Sequence, residues 1–227
     1  MTSRWAPGAQ TAEEILAETI EHFGNKAALT CSFGGPGGMV LLHMASRITP
    51  KIPVLFLDTG FLFPETLRLR DEVAERYGLE VITYRPALSP AEQAERYGDR
   101  LWERDPDACC RLRKVEVMAR AARELELEAW ISALRRDQGA SRRAIGTATY
   151  QEIAPGHWLT KVFPLAAWKR RDVWSYIVRH RIPYNPLLDR GYSSLGCIQC
   201  TVPHAGSDER AGRWPGQNKV ECGLHLS

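Results

Sequence analysis

Through its first 180 residues the chain alternates short apolar runs of strand length with amphipathic runs of helix length, and this alternation narrows its possible folds more than any other feature. Thr11-Ala12-Glu13-Glu14 is a capping box ahead of Ile15, Leu16, Ile20 and Phe23, and Gly24 closes that helix. Residues 27–33 then read as a buried strand, Gly34-Gly35-Pro36-Gly37-Gly38 interrupts regular structure, and residues 39–47 read as a helix. The pattern returns as a strand at 53–58, a helix at 64–77 capped by Gly78, and a strand at 79–84. Ser89-Pro90-Ala91-Glu92 opens another helix, residues 106–125 form a longer one, and residues 129–134 form a fourth strand. Residues 135–154 are polar and read as irregular, ahead of a short strand near 161–163 and a helix over about 170–181. Such alternation predicts an α/β fold with a mostly parallel sheet, flanked by helices and joined by right-handed crossovers.

Beyond Pro183 the pattern stops, because prolines and glycines from Pro186 to Gly223 leave no run long enough for a regular element. Residues 1–182 are therefore expected to form the α/β domain, and residues 183–227 an irregular C-terminal segment held by something other than a core. Four cysteines offer a means of holding it: Cys109-Cys110 in a predicted helix and Cys197-Ile198-Gln199-Cys200 in the tail. Two residues of spacing let a tight turn aim both sulfurs inward, so the two pairs can meet at a shared zinc or iron-sulfur site. The spacing does not choose between those metals, and buried unligated thiols or a redox disulfide remain the alternatives. Cys31, inside a predicted strand, reads as a small apolar core residue. Cys222 stands alone in Glu221-Cys222-Gly223-Leu224-His225, either an incidental exposed thiol or a nucleophile on a segment able to swing into a cleft.

A net charge of +3, from 30 Lys and Arg against 27 Asp and Glu, is too small for a whole-molecule field that draws in nucleic acid. Apolar runs such as Pro53-Val54-Leu55-Phe56-Leu57 fall far short of the roughly 20 residues a membrane span needs, and no leader pattern opens the chain. A cytoplasmic protein without membrane or nucleic-acid partners is expected, with homo-oligomerisation left open. Local basic groups therefore matter more: Arg111-Leu112-Arg113-Lys114 beside the cysteine pair, Arg135-Arg136 after a strand end, and Arg210 and Arg213 upstream of Cys222. Lys169-Arg170-Arg171 reads instead as a solvated helix start. Ligands of α/β sheets sit at the carboxyl ends of the strands, which favours Ser32, Asp58 and Arg135-Arg136 as a rim, with Asp58 serving a ribose or only capping a turn. The glycine loop places backbone N–H groups at a helix N-terminus, a setting for phosphate, although it matches neither a Walker nor a dinucleotide pattern and reads equally as a plain connection.

In order along the chain, Ser32-Phe33-Gly34, Leu57-Asp58-Thr59-Gly60, Cys109-Cys110-Arg111-Leu112-Arg113-Lys114, Leu134-Arg135-Arg136-Asp137-Gln138, Asn185-Pro186-Leu187, Gly196-Cys197-Ile198-Gln199-Cys200, Glu209-Arg210-Ala211-Gly212-Arg213-Trp214 and Glu221-Cys222-Gly223-Leu224-His225 stand together. With these segments the chain resembles the assimilatory phosphosulfate reductases, and in particular the iron-sulfur type that reduces adenylyl sulfate. The resemblance implies an adenine nucleotide α-hydrolase-like fold and a 4Fe-4S cluster on Cys109, Cys110, Cys197 and Cys200. It further implies that Cys222 is the catalytic nucleophile and that thioredoxin, or a glutaredoxin-like donor, supplies electrons. Ser32, Gly34, Gly35, Asp58, Thr59, Lys114, Arg135, Arg136, Arg210, Arg213 and His225 become the expected substrate-binding residues. Family members without the cluster cysteines use phosphoadenylyl sulfate. With all four present, adenylyl sulfate is the expected substrate, and phosphoadenylyl sulfate, or both, the alternative. The loop departs from its relatives at Pro36-Gly37-Gly38, where acidic or hydroxyl residues are common, and the same departure weakens a reading as an ATP pyrophosphatase. A rival of another class, a zinc-anchored module that binds nucleotide or RNA, leaves Cys222 without a role.

Overall fold

The structure is a computed structural model describing residues 5–204, 206 and 208–224. The elements run α1 (Ala12–Phe23), β1 (Ala27–Thr30), α2 (Pro36–Ile48), β2 (Val54–Leu57), α3 (Pro64–Tyr77) and β3 (Val81–Tyr84). They continue with α4 (Pro90–Tyr97), α5 (Leu101–Arg104), α6 (Pro106–Cys110), a π-helical turn (Arg111–Val115), α7 (Glu116–Glu124), β4 (Ala129–Ile131), β5 (Ala148–Ala154), β6 (His157–Val162) and α8 (Arg170–His180). The expected capping boxes form, with Thr11 Oγ1 accepting from the Glu14 N–H and Ser89 Oγ from the Glu92 N–H. Gly24 and Gly78 end their helices at positive φ, where a Cβ would be strained.

The sheet order is β3-β2-β1-β4-β6-β5, parallel throughout except for the β5–β6 pair. Strand alternation divides the core in two. Ala27, Leu29, Val54, Phe56, Ala129 and Ile131 face the layer that holds α1, α2 and α8, whereas Ala28, Leu55 and Trp130 face Met118, Ala121 and Ala122 of α7. No helix among the described residues is long and apolar enough to cross a membrane.

Two expectations are corrected. Residues 135–154 are not irregular throughout: they hold two 3₁₀ turns and then β5, the edge partner of a hairpin with β6. Being an edge strand, β5 is half exposed and mostly polar, and the signal for it lay in Pro155-Gly156, a two-residue connection to β6. The helix expected over 106–125 is broken by the π turn, which turns Arg113 inward to 2% exposure.

Candidate active site

Three parallel strands end at one cleft, of about 230 Å³. Ser32 follows β1, Thr59 follows β2, and Ser132 and Ala133 follow β4, so the cleft opens where β1 separates strands running to either side. Gly35 caps α2 without any side-chain hydrogen bond, and Pro36 occupies the first turn, leaving the amides of the helix start free to meet an anion. The loop is close packed. A Cβ on Gly34 would lie 2.9 Å from Leu195 Cβ, and one on Gly37 would lie 3.5 Å from Arg135 Nη1.

Arg135 is fully buried. Its Nε donates to Asp137 at 2.9 Å and its Nη2 to Glu209 at 2.6 Å, while Nη1, on the side of Gly37, has no hydrogen-bond partner. Arg135 is not on the cleft lining but lies behind Gly37, while Ser132, Ser193 and Trp214, which do line the cleft, carry buried polar atoms without a partner, Oγ, Oγ and Nε1. Buried polar groups are ordinarily satisfied, so orphans gathered at one place mark a cavity shaped for a polar ligand.

The expected residues divide by location. Ser32, Gly35, Thr59, Lys114, Arg210, Arg213 and Cys222 line the cleft. Gly34 packs beside it against the tail. Asp58 does not line it: its carboxylate accepts from the Gly60 N–H at 3.0 Å and pairs with Arg85 at 3.1 Å, the turn-capping alternative. Arg136, the first residue of a 3₁₀ turn, is exposed and donates to Ile145 O at 2.8 Å, whereas Arg135, the extended residue before that turn, is buried. His225 lies outside the described residues. Sequence reading missed Arg142, Lys161 and Gln138. Arg142 and Gln138 line the cleft, while Lys161 reaches Leu224 of the tail.

The four cysteines of the two pairs come together. Cys109 and Cys110 end α6, Cys197 precedes and Cys200 ends a short 3₁₀ turn of the tail, and all four line one small pocket with Phe61 and Trp102. All are free thiols. Burial pushes Cys110 up to about 11 and Cys200 up to about 12, and it also raises Cys109. Thr59 Oγ1 lies 3.4 Å from Cys197 Sγ. Arg113, fixed by Gln93 Oε1 at 2.7 Å and Thr59 O at 2.8 Å, lines the pocket and keeps Nη2 without a partner. Among the described residues no three His, Cys, Asp or Glu side chains converge as they would on a single metal ion. The sulfurs instead surround a hollow, with an unused cationic donor on its wall.

Lys114 lines both the cysteine pocket and the cleft. Burial alone would lower its ammonium, but the sulfurs of Cys197, Cys222 and Cys110 outweigh that and hold it above its ordinary value. Cys222 also lines a second, open hollow on the outer surface with Gly223, Asp105, Asp107, Ala108, Arg111 and Val115. The tail pairs with the α/β body through the isolated β-bridge of Leu62 with Cys197, and folds back on itself through that of Thr201 with Arg213.

Residues 26–203 match the phosphoadenosine phosphosulfate reductase domain family. The chain belongs to this family. Among the similar curated proteins, the adenosine 5'-phosphosulfate reductase of Halalkalibacterium halodurans is 44% identical over 214 residues, 93% of this chain and 90% of that protein. The phosphoadenosine 5'-phosphosulfate reductase of Gloeobacter violaceus is 44% identical over 217 residues, 94% of this chain and 88% of the other. Among solved structures, phosphoadenylyl-sulfate reductase from Candida auris, in a phosphate complex, superposes with a TM-score of 0.74 at 33% identity, covering 85% of this chain and 91% of that one. The FMN adenylyltransferase of Candida glabrata, at 18% identity and a TM-score of 0.65, shares the fold alone. The adenine nucleotide α-hydrolase-like fold and the reductase family expected from the motifs are both borne out.

Proposed function

We propose that this family member reduces adenylyl sulfate to sulfite and AMP, with Cys222 as nucleophile and a thioredoxin-like dithiol as electron donor, in the cytoplasm. The observation that carries the reading is the seating of Cys222 in the same cleft as the free N-terminus of α2, Lys114, Arg213 and the unpartnered polar atoms. Adenosine 5'-phosphosulfate reductases at 42–45% identity support adenylyl sulfate as the substrate.

The Cys222 thiolate attacks the sulfur of the phosphosulfate. A bond from Sγ to that sulfur forms, its bond to the bridging oxygen breaks, and AMP departs with the electron pair. An anionic nucleophile approaching an anionic substrate needs cations, and Lys114 and Arg213 form no ion pair with a carboxylate among the described residues. Arg135 Nη1 and the α2 amides suit the phosphate oxygens. A donor thiolate then attacks Sγ and releases sulfite, and the donor's second thiol frees Cys222 as the donor becomes a disulfide.

Cys109, Cys110, Cys197 and Cys200, with the spare donor on Arg113, fit a 4Fe-4S cluster and would hold it. When bound, it supplies fixed charge beside Lys114 and a covalent tie between α6 and the tail. A module that merely binds nucleotide leaves the placement of Cys222 without a use. Phosphoadenylyl sulfate is the second reading, favoured by the names of the Gloeobacter and Candida auris relatives.

The test is intact mass and peptide mapping of anaerobically purified protein after exposure to each phosphosulfate without reductant. A single sulfonate on Cys222, formed with adenylyl sulfate and removed by reduced thioredoxin, is expected. Cys222→Ser should bind the nucleotide yet form no adduct, whereas an adduct on another residue overturns the assignment.

A further inference from the structure

The segment around Cys222 is gripped on both sides by residues that the substrate reading does not use. On its N-terminal side, Glu221 is buried, with its side chain 2% exposed. Arg142 meets it in a two-point pair, Nε to Oε1 at 2.7 Å and Nη2 to Oε2 at 2.8 Å. Ser141 Oγ donates to Oε1 at 3.1 Å, and Arg210 Nη2 lies 3.2 Å from Oε2 while also donating to Val220 O. The third nitrogen of Arg142 donates to Gln138 Oε1 at 2.6 Å, and that oxygen also accepts from the Arg135 N–H. Every nitrogen of Arg142 is thereby engaged, and its anchor lies on the same turn that buries Arg135.

On the C-terminal side, Lys161 Nζ donates to Leu224 O at 2.9 Å. Lys161 projects from β6, which is paired on both edges, and its ammonium rests 4.6 Å from the centre of the Trp130 ring. Trp130 Nε1 in turn donates to Thr30 Oγ1 at 2.6 Å, so the platform under Lys161 is itself fixed to β1. Between the two grips the chain turns at Gly223, whose φ of +89° suits glycine.

We propose that Arg142 and Lys161 are positioning residues that clamp the tail on either side of the nucleophile and set Cys222 over the cleft before substrate arrives. The inference deepens the reading of Cys222 given above and rests on it. Arg142 and Arg210 then each serve the tail's own carboxylate, Glu221, leaving Lys114, Arg213 and the α2 amides for the phosphosulfate. Removing one partner of a buried charge pair leaves the other uncompensated, so the clamp opens at one partner with large effect. A misplacement of about 1 Å at a reacting atom lowers its rate on the order of a hundredfold.

The experiment compares the parent chain, cluster-loaded, with Arg142→Gln, Arg142→Lys, Lys161→Met and Glu221→Gln. Alkylation of Cys222 by iodoacetamide is followed without substrate, and S-sulfonate formation is followed across adenylyl sulfate concentrations. In Arg142→Gln and Lys161→Met, Cys222 should alkylate several times faster, and the maximal rate of S-sulfonate formation should fall on the order of a hundredfold with little change in the half-saturating concentration. Arg142→Lys should recover part of the rate. A raised half-saturating concentration at unchanged maximal rate would make these residues substrate ligands and overturn the clamp, as would parent-like alkylation and rate. If Arg142→Gln fails to fold, Glu221→Gln carries the same test from the other partner. A parent chain that forms no S-sulfonate at all defeats the reductase reading, while the alkylation comparison still decides the clamp.

Discussion

Cys31 and Cys222 carry the same thiol in opposite surroundings. Cys31 is 4% exposed and packed against Gly38, where an added Cβ would lie 2.8 Å from its sulfur, and burial pushes its thiol up to about 12. In the unfolded chain the same thiol ionises near 9. The folded state therefore holds the proton longer, and the contribution of Cys31 to stability is whole below pH 9 and lost as the pH rises toward 12. Unfolding free energy measured from pH 9 to 12 should fall less steeply in Cys31→Ala than in the parent; equal slopes would refute the assignment. Native alkylation should correspondingly reach Cys222 and spare Cys31. The apolar role of Cys31 was legible because a cysteine inside an apolar strand has few alternatives. Arg135 and Arg136 were legible only as a basic pair, since which of two neighbours faces inward depends on where the 3₁₀ turn after β4 begins. Arg142 was hidden in a stretch read as irregular, and its partner Glu221 lies 79 residues away.

In the proposed function, the loop from Ser32 into α2 is the element on which substrate binding turns. It works because Gly34 lets Leu195 of the tail approach: a methyl group there would sit 2.9 Å from Leu195 Cβ and 3.2 Å from its carbonyl oxygen. Gly34→Ala should cost about 1–3 kcal/mol in denaturant unfolding by overpacking, and should weaken adenylyl sulfate binding because the loop must move from the tail. Unchanged stability together with unchanged binding would show that the contact yields freely. Helix ends were the most readable parts of the chain, since Thr11, Ser89, Gly24 and Gly78 each carry a local capping chemistry. The π turn at Arg111–Val115 was not readable, because one extra residue in a helix changes no composition and barely shifts the periodicity. Its effect is nonetheless chemical, for it buries Arg113 between Gln93, Thr59 and the cysteine pocket.

Across the whole molecule, the sheet and its two layers of helices account for the core, while the tail meets them through the isolated bridge of Leu62 with Cys197, the buried pairs of Arg135 with Glu209 and Arg142 with Glu221, and the cysteine pocket. Loss of the proposed cluster should loosen the tail before the sheet. After removal of iron by a chelator under oxidising conditions, limited proteolysis should cut within residues 191–224 first and leave a resistant core; simultaneous digestion of both would show that the cluster supports the entire fold. The alternation of strands and helices made the sheet readable at this scale. The tail's path was not, because it depends on pairings between residues more than a hundred positions apart, such as Leu62 with Cys197. Cys222 borders both the proposed substrate cleft and the outer hollow beside Asp105 and Arg111, which bears on the order of events in the proposed turnover. A nucleotide in the cleft and a dithiol entering by the outer hollow can reach the same sulfur from different directions. The leaving nucleotide then need not clear the cleft before the dithiol arrives, and AMP should act as a noncompetitive rather than a competitive inhibitor toward the reductant.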